Sequence, residues 1–165
     1  MAEDQRSIVA RWRSVRIGGR AWRDLIVEIE KLEEEGIMLH RNAAHRLFRL
    51  APSTEPNERD LNLVKVSVRE LGFPEGAKIS EIYARAEAIG LCICGVEVAA
   101  HLRLQYPDQP QNESLWLAME PQKDEFGYPV LLLVTRGLTC TIECSCLGPK
   151  GELGRDAQLV FCGPS

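Results

Sequence analysis

Between positions 114 and 162 four apolar or alternating runs follow one another, at 114–120, 128–135, 138–147 and 156–162, and this constrains the fold more than any other feature of the chain. Runs of this length with period-two alternation read as strands. Their connections are short and rich in turn residues: Asp124, Glu125 and Gly127, then Arg136 and Gly137, then the looser stretch 148–154. Strands joined so closely pair with their neighbours, so this half of the chain predicts an antiparallel meander.

The first half carries a different period. Over 21–35 the residues Trp22, Leu25, Ile26, Ile29 and Leu32 recur at three- and four-residue steps, the stripe of an amphipathic helix, and Gly36 supplies a stop. A shorter helix is expected over 39–50, with Leu39, Ala43, Leu47 and Phe48 inward. Pro52, Ser53, Thr54, Pro56 and Asn57 then mark a linker over 51–60. Residues 61–68 alternate as a strand, and 79–89 form a helix with Ile82, Tyr83, Ala86 and Ile89 inward and Gly90 as its stop. After a helical turn at 96–100, residues 101–106 alternate again. Helices early and strands late predict an α+β domain, two or three helices covering one face of a mainly antiparallel sheet of four or five strands.

At 165 residues the chain has room for one domain with a real core, and its 45% apolar and 27% charged residues exclude disordered and fibrous classes. Six arginines and no acid lie between Gln5 and Arg23, followed by Glu28, Glu30, Glu33, Glu34 and Glu35. With Gly18 and Gly19 as the break, residues 1–20 read as a flexible Arg-rich arm and 21–163 as the domain: a helical part over 21–50, the linker over 51–60 and a mixed, β-rich part over 61–163. The longest apolar run, 129–134, falls well short of the roughly 20 residues that a membrane-spanning helix needs. Glu3 and Asp4 stand where a secretory signal would be basic and then apolar. A soluble cytoplasmic protein is expected, its six cysteines reduced thiols.

Four segments carry a resemblance: LGFPEGA at 71–77, EIYARAEAIGL at 81–91, LRLQYPDQP at 102–110 and LAMEP at 117–121. In this order they resemble a family of small bacterial proteins to which no activity, substrate or cofactor is attached, and the resemblance runs over about 21–162. Lys78 departs from the pattern, standing where a hydroxylated N-cap would complete a capping box with Glu81, and Gly95 stands where a proline follows the cysteine. The late strands carry cysteines in place of the family's tryptophans.

Cys92, Cys94, Cys140, Cys144, Cys146 and Cys162 supply enough thiols for zinc, but their spacing does not suit one. In a strand, residues two apart are separated by about 6.6 Å, and no pair has the two-residue knuckle spacing. Cys140, Ile142, Cys144 and Cys146 share one strand face, where free cysteine packs as a small hydrophobe. Neither metal nor cofactor is expected, since phosphate loops, dinucleotide fingerprints and nucleophile elbows are all missing from the sequence.

Three constellations could still carry function. Cys94, with His101 seven residues on and Glu97 to orient it, has the residue types of an activated thiol; His40 and His45 lie among arginines on the early helices. Arg103, Gln105, Tyr106, Asp108, Gln109 and Glu120 could line a polar ligand cleft, provided that Leu102 and Leu104 face the core. The same residues read better as a solvated strand face whose arginine is neutralised by neighbouring acids. Arg11, Trp12, Arg13 and Arg16 could meet phosphates and bases, although the domain behind them is acidic and the whole chain carries a net charge of −4. The resulting expectation is a non-catalytic module binding a protein or a small polar ligand through the surface between Arg103 and Glu120. A cysteine enzyme is the alternative, and weak nucleic-acid binding by the arm is the third reading.

Overall fold

A computed structural model describes residues 8–31, 49, 52–138 and 140–164. The helix expected over 39–50 lies outside them apart from Arg49, as do His40 and His45. Among the described residues, three helices and a mainly antiparallel sheet give the α+β class. In chain order the elements are β1 (Arg13–Ile17), α1 (Trp22–Lys31), β2 (Arg59–Ser67), β3 (Ala77–Lys78), α2 (Ile79–Ala88) and α3 (Glu97–Gln105). They continue with β4 (Ser114–Leu117), β5 (Gln122–Lys123), β6 (Pro129–Arg136), β7 (Cys140–Cys146), β8 (Glu152–Leu153) and β9 (Gln158–Cys162). Among the described residues no helix is long and apolar enough to cross a membrane.

The sheet is wider than the sequence predicts and is not a simple meander. Seven strands run in the order β1, β2, β9, β4, β6, β5, with β7 on the remaining side of β6. The first three runs do pair in order, β4 with β6 and β6 with β7, both antiparallel; it is β9 that departs, returning to lie between β2 and β4, antiparallel to the first and parallel to the second. The reason lies in β9 itself. Leu159, Val160 and Phe161 are all fully buried, and a strand buried on both faces belongs in the middle of a sheet.

Register then sorts the side chains. Val15, Leu63, Val160, Leu117, Val134 and Ile142 fall on one face, and Val66, Leu159, Phe161 and Trp116 on the other. Both faces are covered: α3 packs on β1, β6 and β7 with α1 against it, while α2 sets Tyr83 edge-on to Phe161 across the sheet, centroids 6.0 Å apart. Helices on two faces replace the one covered face that the sequence suggested.

Two terminations place the elements that matter below. Helix α2 ends in a Schellman arrangement, with Leu91 N–H bonded to Ala86 O (2.9 Å), Gly90 N–H to Glu87 O (3.0 Å), and Gly90 in the left-handed region at φ 89°. At its other end Glu81 makes its half of the capping box, accepting Lys78 N–H at 3.0 Å. Gly18 does not mark a flexible boundary. Its φ is 88°, and a Cβ there would sit 2.1 Å from Asn57 O, so only glycine lets the linker cross the end of β1.

The expected arm is therefore corrected at residues 13–17. Val15 and Ile17 are buried, Ser14 and Arg16 exposed, and the strand pairs antiparallel with β2 from Arg13↔Leu63 to Ile17↔Arg59. The segment 101–106 is corrected too, because α3 is a helix through Gln105. Every residue from Glu97 to Arg103 is buried, and a helix buried all round shows no amphipathic stripe, which is why its alternation of leucines with His101 and Arg103 imitated a strand.

Candidate functional site

Three of the polar residues expected to line a cleft, Arg103, Tyr106 and Gln109, converge at the C-terminal end of α3, but they face inward. The Arg103 side chain is fully buried. Its Nη1 donates to Gln109 Oε1 (2.5 Å) and to Thr135 O (3.4 Å), and its Nη2 to Tyr106 O (2.5 Å). Gln109, equally buried, donates onward to Glu113 O and Val134 O. Burial pulls the Arg103 pKa below its ordinary value. The group ties the helix end to β6, and no hydrogen-bonding capacity of Gln109 is turned towards a ligand.

Tyr106 and Gln105 extend this lock. Tyr106 Oη donates to Glu113 Oε1 at 2.9 Å; burial first, then that bond, push its phenol up to about 12. Arg13 lies over the Tyr106 ring at 4.0 Å and Trp12 meets it edge-on at 5.4 Å, while Lys65 sits 4.9 Å from the Trp12 ring and pairs with Glu113 at 3.2 Å. Gln105 Oε1 accepts Arg16 N–H (2.9 Å) and its Nε2 donates to Arg16 O (2.8 Å), so one amide side chain stands in for a neighbouring strand along the edge of β1. Of the predicted cleft residues, Gln105, Asp108 and Glu120 are exposed. These residues do not form the expected cleft: Arg103, Tyr106 and Gln109 make a buried joint, and the exposed Gln105 ties the helix end to the edge of β1.

The residues of the nucleic-acid reading are placed among neighbours of their own. Arg13 is held over Tyr106 and bonded to Gln105 O (3.0 Å), Arg16 reaches Glu58 (3.0 Å) and Asp60 (3.5 Å), and Trp12 is packed against the core. Arg11 is exposed. Two of the four residues are thus committed to acidic or aromatic neighbours and a third to packing.

At the N-terminal end of α3, Glu97 Oε1 accepts the backbone N–H of Glu55 at 2.8 Å, which anchors the linker beside Gly19. Glu97 Oε2 stands 3.5 Å from His101 Nε2, and neither atom has a hydrogen-bond partner among the described residues. Burial lowers the His101 pKa against the pull of Glu97. Cys94 does not join them. Its sulfur lies 2.9 Å from Cys162 Sγ and 3.8 Å from Val160 O, and no hydrogen bond or ion pair connects it to His101 among the described residues. Burial, then the Cys162 sulfur, hold the Cys94 thiol well above its usual range, the opposite of what a nucleophile needs. The Cys94, His101, Glu97 group is therefore not assembled.

The other thiols divide by depth. Cys140 is buried in the face that α3 covers, Cys144 is half-buried, and Cys92 and Cys146 are exposed, so the expected row of buried cysteines holds only for its first members. Among the described residues no group of three or more histidine, cysteine, aspartate or glutamate side chains is placed to hold a metal ion.

Two features escaped the sequence reading. Cys162 is the contact of Cys94 across 68 positions, and no local pattern announces so distant a pair. The turn between β5 and β6 carries Phe126 and Tyr128 outward, although its Asp-x-x-Gly spacing was visible only as a turn. The chain matches no family model, no curated protein and no solved structure.

Proposed function

We propose that the protein is a non-catalytic module that binds another protein through the turn between β5 and β6. One observation carries the reading: Phe126 is 74% exposed and Tyr128 38% exposed, their ring centroids 6.3 Å apart, on a turn that is already fixed. Asp124 Oδ1 accepts the N–H groups of both Phe126 (2.9 Å) and Tyr128 (2.8 Å), and Gly127 takes the left-handed conformation at φ 82°. A lone exposed apolar residue such as Leu138 needs no explanation. A pair of aromatic rings on a rigid turn is different, because it loses little conformational freedom when a partner covers it. Burying a phenylalanine side chain is worth about 1.5–3 kcal/mol.

Charge indicates the kind of partner. Within the turn itself, over 123–128, Asp124 and Glu125 outnumber Lys123, which suits an apolar socket rimmed by basic side chains. A small polar ligand is less well supported, since Arg103 and Gln109 spend their hydrogen bonds internally. The cytoplasm fits a chain with six unbridged cysteines.

The test replaces Phe126 by a photo-reactive phenylalanine in the cells that make the protein. One discrete adduct to a different protein is expected, lost on adding Tyr128→Ser. The captured partner, once purified, should bind the Phe126→Ser protein at least ~10-fold more weakly than the unaltered chain, about 1.4 kcal/mol. An adduct to a second copy of this chain, or equal yield from a probe at Leu138, would overturn the proposal.

A further inference from the structure

The thiol contact between the α2–α3 connection and the end of the sheet has no part in the binding turn. We propose that Cys94 and Cys162 are a site of reversible disulfide formation, which ties the α2–α3 connection to the end of β9.

The backbone on both sides is already in place. Cys92 and Cys162 exchange two hydrogen bonds, at 3.0 and 2.9 Å, in an antiparallel bridge, and Cys94 N–H donates to Ala118 O at 2.6 Å. These bonds bring the sulfurs to 2.9 Å although 68 positions separate them in the chain. Closure therefore needs no search by the chain, the condition under which an intramolecular step outruns a bimolecular one. The two thiols also differ in access. Cys94 is buried, 4% exposed, while Cys162 is half-buried as the last residue of its strand. The hydrogen bond it shares with Cys94 draws the Cys162 pKa down, aided by Arg59 and opposed by burial. The reachable sulfur is thus the one that more readily becomes a thiolate.

With a small disulfide RSSR as oxidant, the steps balance. The Cys162 thiolate attacks one sulfur of RSSR, the S–S bond breaks, and RS⁻ leaves and takes a proton. With Cys162 capped, the neighbouring sulfur charge that helps hold the Cys94 thiol up is gone; Cys94 gives its proton to the departing RS⁻ as it attacks the Cys162 sulfur of the mixed disulfide, forming the Cys94–Cys162 bond. In sum two protein thiols lose two electrons and two protons, and RSSR becomes two RSH. Cys92 is the rival, exposed and directly across the bridge from Cys162.

The experiment treats the full chain with oxidised glutathione, alkylates the remaining thiols after denaturation and measures intact and peptide masses. Expected is a chain lighter by two hydrogens with four of its six cysteines alkylated, a cross-link between the tryptic peptides 86–103 and 156–165, and reversal by a dithiol reductant. Cys92 shares the first peptide, so Cys92→Ser must leave the cross-link intact while Cys162→Ser abolishes it. Stable glutathione on Cys162 with Cys94 still open to alkylation, or a cross-link lost in Cys92→Ser, would overturn the assignment.

Discussion

At the C-terminal end of α3 the buried Arg103 guanidinium is met by Gln109, the Tyr106 carbonyl and the Thr135 carbonyl, and only its Nε is left without a partner among the described residues. At the N-terminal end of the same helix, Glu97 and His101 are just as deeply enclosed, yet Oε2 and Nε2 face each other unbonded. The contrast separates two uses of polar groups in a core. A satisfied cluster fixes geometry, because removing one member strands the others at a cost of about 1–3 kcal/mol apiece. An unsatisfied pair fixes less and responds more to its protonation state.

The largest expected effect lies at the satisfied end. Arg103→Ala should cost about 3–5 kcal/mol in urea unfolding, since Gln109 and two carbonyls are left without their donor and a cavity opens where the side chain lay. Arg103→Lys should recover little, because a single ammonium cannot span three acceptors. A loss below about 1 kcal/mol for Arg103→Ala would mean that the joint between α3 and β6 rests on apolar packing alone.

This is also where the sequence was hardest to read. The stripes of α1 and α2 were legible because each helix has a wet side, and the Gly90 stop was legible because the Schellman turn requires a left-handed residue. In α3 Leu102, Arg103 and His101 are all inside, so neither hydrophobicity nor charge reports which side faces in. Strand β1 carried its signal in Val15 and Ile17, two residues apart, but the arginines around them read as a solvated tail. The position of β9 was written in the unbroken run Leu159, Val160, Phe161; the Cys94–Cys162 contact was written nowhere, because only the completed sheet brings those residues together.

A smaller effect tests the edge that the satisfied end protects. Gln105→Ala removes both bonds to Arg16, and because water can replace them on an exposed strand the cost should be about 0.5–1.5 kcal/mol, a fall of about 2–4 °C in Tm per kcal/mol. Hydrogen exchange at the Arg16 amide should accelerate while that of Val64 in β2 stays slow. Equal protection at Arg16 in both proteins would show that the β1 edge does not need its amide cover.

The unsatisfied end should be nearly silent at neutral pH and visible in acid. Glu97→Gln keeps an oxygen for the Glu55 N–H and offers an amide hydrogen to His101 Nε2, so at about pH 7.5 it should change stability by less than about 1 kcal/mol. His101 titrates below 6.5 in the fold, where burial and Arg20 oppose the pull of Glu97 and Glu28, and near 6.5 when unfolded. Between those two values the unfolded chain binds the extra proton, so stability present above about pH 6.5 is lost as pH falls towards the folded value, then stops changing on this account. His101→Gln should remove that loss, and Glu97→Gln should extend it to lower pH, since the carboxylate that holds the imidazole up is gone. Urea unfolding from about pH 7.5 to about pH 5 decides between them, and parallel stability profiles for His101→Gln and the unaltered chain would mean that the two ends of α3 do not differ in their response to protonation.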